Sequence, residues 1–223
     1  MAIETEFLQS LPYFAGMERG DVESLRELFF ERSFERGETI LVEGEPSEVL
    51  YVVFGGVAKL LKTSADGKEQ ILRLARPGDS LNDVPVFDDG PNPAGAQAMG
   101  EVVVYGIRAG DLEAVVRQYP QVAHNVNQVL ARQVRDLVTL VEDLSFRHVT
   151  GRVAKILLEH AGNGAGPKHR LTQQDMAAMA GTVREVVGRA LKALEDEGAI
   201  RLERHRVVIN DREALSQLVD ADY

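Results

Sequence analysis

One stretch constrains this chain more than any other: Leu171-Thr-Gln-Gln-Asp-Met-Ala-Ala-Met-Ala-Gly181-Thr-Val-Arg-Glu-Val-Val-Gly-Arg189-Ala-Leu-Lys-Ala-Leu194. It reads as two short amphipathic helices around a glycine turn. Thr172 with Asp175 makes a capping-box variant and Thr182 with Glu185 a full one, so side chains mark both helix starts. Gly181 permits the left-handed or close-packed backbone that a tight turn needs. In the second helix Val186, Ala190, Leu191 and Leu194 are expected to face inward, and Gly198 to close it. Arg184, Glu185 and Arg189 then share one exposed face within the first two turns. That is the geometry of a helix entering the major groove of DNA. An arginine can grip guanine O6 and N7 with two donors and a glutamate can accept from cytosine N4, each contact discriminating by roughly 1 to 3 kcal/mol. Thr172, Gln173, Gln174 and Thr182 are candidate phosphate contacts, which set register. Ile200 to Ile209 alternates in two halves and suggests a hairpin, or wing. Arg204 and Arg206 near its tip are expected on the DNA backbone, while His205 serves there or as an ordinary surface residue.

Charge at first opposes this reading, because the 223 residues carry a net charge of −10 and phosphates attract cations. Its distribution along the chain removes the objection. Residues 1 to 146 hold 13 Lys/Arg against 24 Asp/Glu, whereas residues 147 to 223 hold 12 against 11. The acid lies in the first part, where it restrains non-specific binding without forbidding a specific site. Cysteine is absent, which excludes disulfides, iron–sulfur clusters and thiol redox sensing. No apolar run approaches the roughly 20 residues that span a bilayer, and the N-terminus has no signal pattern, so a cytoplasmic protein without membrane contact is expected.

Ahead of the two helices the periodicity changes twice. Leu8, Leu11 and Phe14 open helically, and a helix is expected around Asp21 to Phe29. Short strands follow within Phe34 to Leu50, then Leu50–Phe54, Val57–Leu61, Glu69–Leu74 and Glu101–Ile107, with a hairpin turn at Ala65-Asp66-Gly67-Lys68. Many short strands with turn-marked spacing indicate a sandwich or jelly-roll barrel. From Gly110 the chain is helical, with Asp111 a candidate cap and Pro120 suited to the first turn of a longer helix. Within that helix Leu130, Val134, Leu137, Val141 and Leu144 recur at gaps of four, three, four and three. Such a heptad seam fits either a parallel partner or the chain's own barrel. A two-fold dimer is preferred, since it also sets two reading helices about one DNA turn apart. His148 to His160 is an amphipathic helix with Val149, Val153, Ile156 and Leu157 inward.

Gly37-Glu-Thr-Ile, Gly44-Glu, Leu50-Tyr-Val-Val-Phe-Gly-Gly-Val-Ala, Asp66-Gly-Lys-Glu, Pro77-Gly-Asp, Val149-Thr-Gly-Arg-Val-Ala and Leu171 through Gly198 occur in the order and spacing of one family. Over residues 10 to 215 the chain resembles the cyclic-AMP receptor protein and fumarate–nitrate regulator (Crp/Fnr) superfamily of bacterial transcription factors. The resemblance implies an α+β chain: a cyclic-nucleotide-binding-like double-stranded β-helix (jelly roll) over 1–118, a dimerisation helix over 119–146 and a winged helix-turn-helix over 147–223. It further implies that Arg184, Glu185 and Arg189 read a TGTGA-like palindrome, with RNA polymerase a possible further partner of the homodimer.

The ligand cassette departs from the family pattern. Nucleotide binders carry Gly-Glu early in it and later Arg followed by Ser or Thr on the cyclic phosphate; here those places hold Asn82-Asp83 and Pro93-Ala94. Proline supplies no donor, and no Lys or Arg occurs between Arg76 and Arg108. A buried phosphate without such compensation is costly, so control by cyclic AMP in the usual mode is disfavoured. Asp83 keeps the chemistry to accept from a ribose hydroxyl. Cofactors and metals are not expected, and the effector is unassigned. The alternative is a cyclic-nucleotide- or haem-responsive regulatory module, with Met17, Met99 or His124 as possible axial ligands. No nucleophile, base and orienter set or phosphate-cradling lysine loop supports an enzyme.

Overall fold

The computed structural model describes residues 3–160, 171–203 and 206–220. Contacts gather the chain into two units, Met1–Lys62 with Arg73–Asp136 and Thr63–Leu72 with Leu137–Tyr223. The first unit opens with α1 (Thr5–Ser10) and α2 (Arg19–Ser24). The helix expected over Asp21 to Phe29 ends early. A 3-10 turn covers Arg26–Leu28 and Phe29 already begins β1 (Phe29–Phe34). Phe29 and Phe30 pack against different cores, which successive residues reach only from a strand, where side chains alternate sides.

The remaining barrel strands are β2 (Thr39–Leu41), β3 (Val49–Gly55), β4 (Ala58–Thr63), β5 (Glu69–Ala75), β6 (Ser80–Leu81), β7 (Gly95–Ala98) and β8 (Val102–Arg108). They form two four-stranded sheets, ordered β1-β8-β3-β6 and β2-β7-β4-β5, with antiparallel registers at β1–β8, β3–β8 and β4–β7. This is the jelly roll the sequence implies. Strand β3 shows how one sequence serves two layers. Leu50 and Val52 enter the core shared with Leu8, Leu11, Leu112 and Val122, while Tyr51 and Val53 enter the one between the sheets. Each fully buried aliphatic side chain contributes roughly 1.5 to 3 kcal/mol.

Helix α3 (Asp83–Asp88) lies between two left-handed residues, Asn82 at φ 75° and Asp89 at φ 55°. Helix α4 (Ala109–Gln118) starts from Arg108, so Asp111 sits in its first turn and does not cap it. The carboxylate still complements the positive end of the helix. Helix α5 (Pro120–Phe146) begins at its proline as expected and runs for 27 residues.

The second unit carries α6 (Val149–His160), α7 (Gln173–Ala180), α8 (Arg184–Asp196), β9 (Ile200–Glu203), β10 (Arg206–Ile209) and α9 (Arg212–Asp220). Its core joins Val153, Ile156 and Leu157 to Met176, Val187, Leu191, Leu194 and Leu215. The sequence reading stopped at the wing; α9 follows it and buries Leu215, with Leu218 and Val219 packed alongside at helical spacing. Between α5 and α6, Arg152 Nη1 donates to Arg147 O at 2.6 Å, occupying a carbonyl just past the end of α5. Asp143 receives Arg147 Nε at 2.7 Å and Lys155 Nζ at 2.5 Å.

Candidate nucleic-acid interface

Helices α7 and α8 form the turn read in the sequence. Thr172 caps α7 with a reciprocal box: its Oγ1 accepts from Asp175 N at 3.1 Å, and Asp175 Oδ2 accepts from Thr172 N at 2.9 Å. Gly181 closes that helix in the left-handed region at φ 64°. A Cβ there would fall 2.6 Å from Leu144 Cδ2, the movable end of a side chain, so it is the left-handed backbone that favours glycine at this position.

The start of α8 differs from expectation. The Thr182 amide donates to Ala177 O at 3.0 Å and so belongs to the closure of α7. Val183 takes the cap position without any side-chain bond, and the Thr182–Glu185 box does not form. The helix therefore buries Val187, Ala190, Leu191 and Leu194, spaced i, i+3, i+4 and i+7, while Val186 is half-buried. Gly198 follows the last turn at φ 79°, as its type predicts.

Arg184, Glu185 and Arg189 are all exposed in the first two turns of α8. Taking Arg184 as zero, they lie at about 0°, 100° and 140° around the helix. None of the three has a hydrogen bond or ion pair within the described residues. The contrast along the same unit is sharp. Lys192 pairs with Glu195 and Asp196 at 3.1 and 3.0 Å, and Glu203 holds both Arg201 and Arg206, at 2.8 and 2.5 Å. The Arg206 and Arg201 side chains accordingly hold the Glu203 carboxyl below its ordinary range. Of the expected backbone contacts, Thr172 and Gln174 are exposed, Gln173 and Thr182 are half-buried, and Arg206 is exposed but paired. Arg204 lies outside the described residues.

The seam positions of α5 vary in exposure. Leu130 packs on the first core and Leu144 is half-buried. Between them Val134, Leu137 and Val141 are 59%, 47% and 62% exposed, and Val138 joins them at 62%.

The cassette is organised around a buried carboxylate. Asp83 is 3% exposed; its Oδ1 accepts from Ser80 Oγ at 2.7 Å and from the Tyr13 hydroxyl, its Oδ2 from Gln133 Nε2 at 2.9 Å. Burial pushes this carboxyl up to about 6 against the opposing pull of the Gln133 bond. Asn82 donates Nδ2 to Val49 O at 2.9 Å, Ala94 is buried and Pro93 is exposed. The loop lacks cations as its sequence says, but neighbouring strands bring two. Arg73 of β5 comes within 3.9 Å of Asp83 and donates to Ser80 O at 2.6 Å; Lys62 of β4 donates to Pro93 O at 3.1 Å and pairs with Glu43. Arg73, Tyr13 and Gln133 escaped the sequence reading. A charge inside the apolar run Ile71-Leu72-Arg73-Leu74 is the signal that marks Arg73. Of the axial-ligand candidates, Met99 is buried, Met17 packs on the first core, and His124 is exposed beside Gln128 at 3.0 Å.

Residues 31–119 match the cyclic nucleotide-binding domain and residues 151–218 the Crp-like helix-turn-helix domain. The chain is 33% identical to the CRP-like cAMP-activated global transcriptional regulator of Mycobacterium tuberculosis, over 95% of this chain and 98% of that protein. It belongs to the Crp/Fnr family. This Crp/Fnr protein is also 32% identical to the cyclic AMP receptor protein of Thermus thermophilus, with the same coverage. FixK2 from Bradyrhizobium japonicum is a similar solved structure, with TM-score 0.75 and 28% identity over 85% of this chain and 96% of that one. The Crp/Fnr chain is thus a transcription regulator with a helix-turn-helix DNA-binding domain. No helix among its described residues is long and apolar enough to cross a membrane.

Proposed function

We infer that this Crp/Fnr regulator works as a homodimer that reads a TGTGA-like palindrome through Arg184, Glu185 and Arg189, without control by cyclic AMP in the usual mode. The unpaired state of those three side chains carries the reading. Lys192, Arg201 and Arg206 of the second unit are matched within the chain, whereas these three project together from the start of α8 without a partner among the described residues. Two neighbours support it by breaking local rules. Val183 is an exposed cap without a polar side chain, and Gly188 lies at about 40° on the same arc, in mid-helix, where glycine costs roughly 0.5 to 1 kcal/mol relative to alanine. Sequences violate local propensity where function demands it.

Dimer formation through α5 is supported by the exposed Val134, Leu137, Val138 and Val141, an apolar stripe suited to a second copy. Nucleotide independence is supported by Asp83, whose two oxygens already accept three bonds from the chain, and by Pro93, which offers no amide donor. A relative named for cyclic AMP makes the direct comparison necessary. The test is binding of purified protein to matched and scrambled palindromes, with and without cyclic AMP. Arg189→Ala should lose roughly 1 to 3 kcal/mol on the matched site and little on the scrambled one. Equal loss on both would reduce Arg189 to a phosphate contact, and affinity that appears only with cyclic AMP would refute nucleotide independence.

A further inference from the structure

Asp83 stands where four segments of the first unit meet. Tyr13 reaches it from a 3-10 turn at Pro12–Phe14, Arg73 from β5, Ser80 from β6 and Gln133 from the middle of α5. Its placement is rigid, because the preceding Asn82 is left-handed at φ 75° and fastened by its amide to Val49 O of β3. Few residues other than glycine tolerate that backbone, and asparagine is one of them. The Tyr13 turn is itself tied to α5: Asn125 Nδ2 donates to both Tyr13 O and Ala15 O at 2.9 Å. Helix α5 is thus gripped at Asn125 and again at Gln133, about 12 Å further along by the helical rise. Directly after the second grip comes the apolar stripe. Leu137, Val141, Val134 and Val138 lie within about 140° of Gln133 around the axis, so fixing Gln133 fixes the direction in which the stripe faces.

We propose that the Asp83–Gln133 bond is an internal strut that sets the rotation of α5, and with it the dimer contact, without a bound small molecule. This rests on the nucleotide-independent reading above and goes further, by assigning the positioning role to two residues of the chain. The charged and titratable groups facing the bond are Tyr13, Arg73 and, acting on Arg73, Asp79 and Asp136. Arg73 is itself desolvated, which lowers its affinity for a proton, and Asp79 and Asp136 oppose that only in part.

The strut is tested in the full chain with Gln133→Leu and Gln133→Glu, using dimer association by sedimentation and affinity for a duplex selected from a random pool. Loss of the bond should weaken both in the leucine variant by about tenfold or more near about pH 8, where the acceptor is charged, and acid should not restore them. The glutamate variant should be equally weak near about pH 8 and recover near about pH 5.5, because two facing carboxyls then share a proton and re-form the bridge. A steric or packing role would give no such recovery. A leucine variant that associates like the parent, or a glutamate variant indifferent to pH, overturns the proposal. Should the leucine variant fail to fold, the pH response of the glutamate variant decides alone. Adding cyclic AMP to the parent is a separate arm: tighter DNA binding there refutes nucleotide independence, while the Gln133 variants still judge the strut.

Discussion

Asp83 and Arg189 are both charged, yet they occupy opposite situations, and the difference explains how the two units divide their work. The carboxylate is 3% exposed and accepts from three side chains. The guanidinium is exposed and has no partner within the described residues. A buried charge must be satisfied within the fold or it destabilises the fold by several kcal/mol; an exposed one remains available to bond elsewhere. Asp83, satisfied inside the fold, is placed to set the state of this molecule, while Arg189, exposed at the start of α8, stays available to bond another.

The comparison predicts the largest effect where exposure is apolar. Leu137→Glu together with Val141→Glu should abolish self-association, removing about 3 to 6 kcal/mol of burial, while circular dichroism of the monomer stays unchanged. Sedimentation of the double variant as a stable dimer would show that the exposed stripe of α5 serves some other purpose.

Asp83 sharpens the buried side of the contrast. Its carboxyl sits at about 6 in the fold against 3.8 for an unperturbed aspartate, so the folded state holds the proton more tightly than the unfolded chain does. The stability it contributes is complete below about pH 3.8 and lost as pH rises through about 6. A difference of about two units corresponds to roughly 3 kcal/mol. Asp83→Asn, fixed in a neutral form, should therefore resist urea better than the parent near about pH 8, and the advantage should vanish toward about pH 4. A gap that does not change with pH would mean that desolvation of this carboxylate is offset in full by its partners.

The sequence made the jelly roll, the long helix and the helix-turn-helix legible, because each rests on periodicity and turn chemistry that neighbouring residues carry. Strand β3, with Leu50 and Val52 on one face and Tyr51 and Val53 on the other, is an example. The first cap of the turn was equally legible, since Thr172 and Asp175 are three residues apart. The second was not. Thr182 had two possible roles, and the closure of α7 took its amide, moving the cap to Val183 and the buried position from Val186 to Val187. The Asp83 cluster was hidden for a different reason: Tyr13, Arg73 and Gln133 lie 70, 10 and 50 residues from Asp83 in the chain, and no local pattern signals a meeting across that distance. The cassette loop itself holds no Lys or Arg, but strands β4 and β5 supply Lys62 and Arg73 from outside it.

The smallest effect probes the reading arc itself. Gly188 has nothing within 4 Å of where a Cβ would sit, so no contact inside the chain asks for glycine there. Alanine at a helical position stabilises by roughly 0.5 to 1 kcal/mol relative to glycine, and Gly188→Ala should raise the melting temperature accordingly. On intramolecular grounds alone the variant is an improvement. If the arc between Arg184 and Glu185 lies against DNA, the added methyl must meet the duplex, and affinity for the matched palindrome should fall while the fold grows more stable. Opposite signs in the two measurements would place the demand for glycine outside the chain. A rise in stability with unchanged DNA affinity would move the contact surface away from this arc, toward the wing or the start of α7.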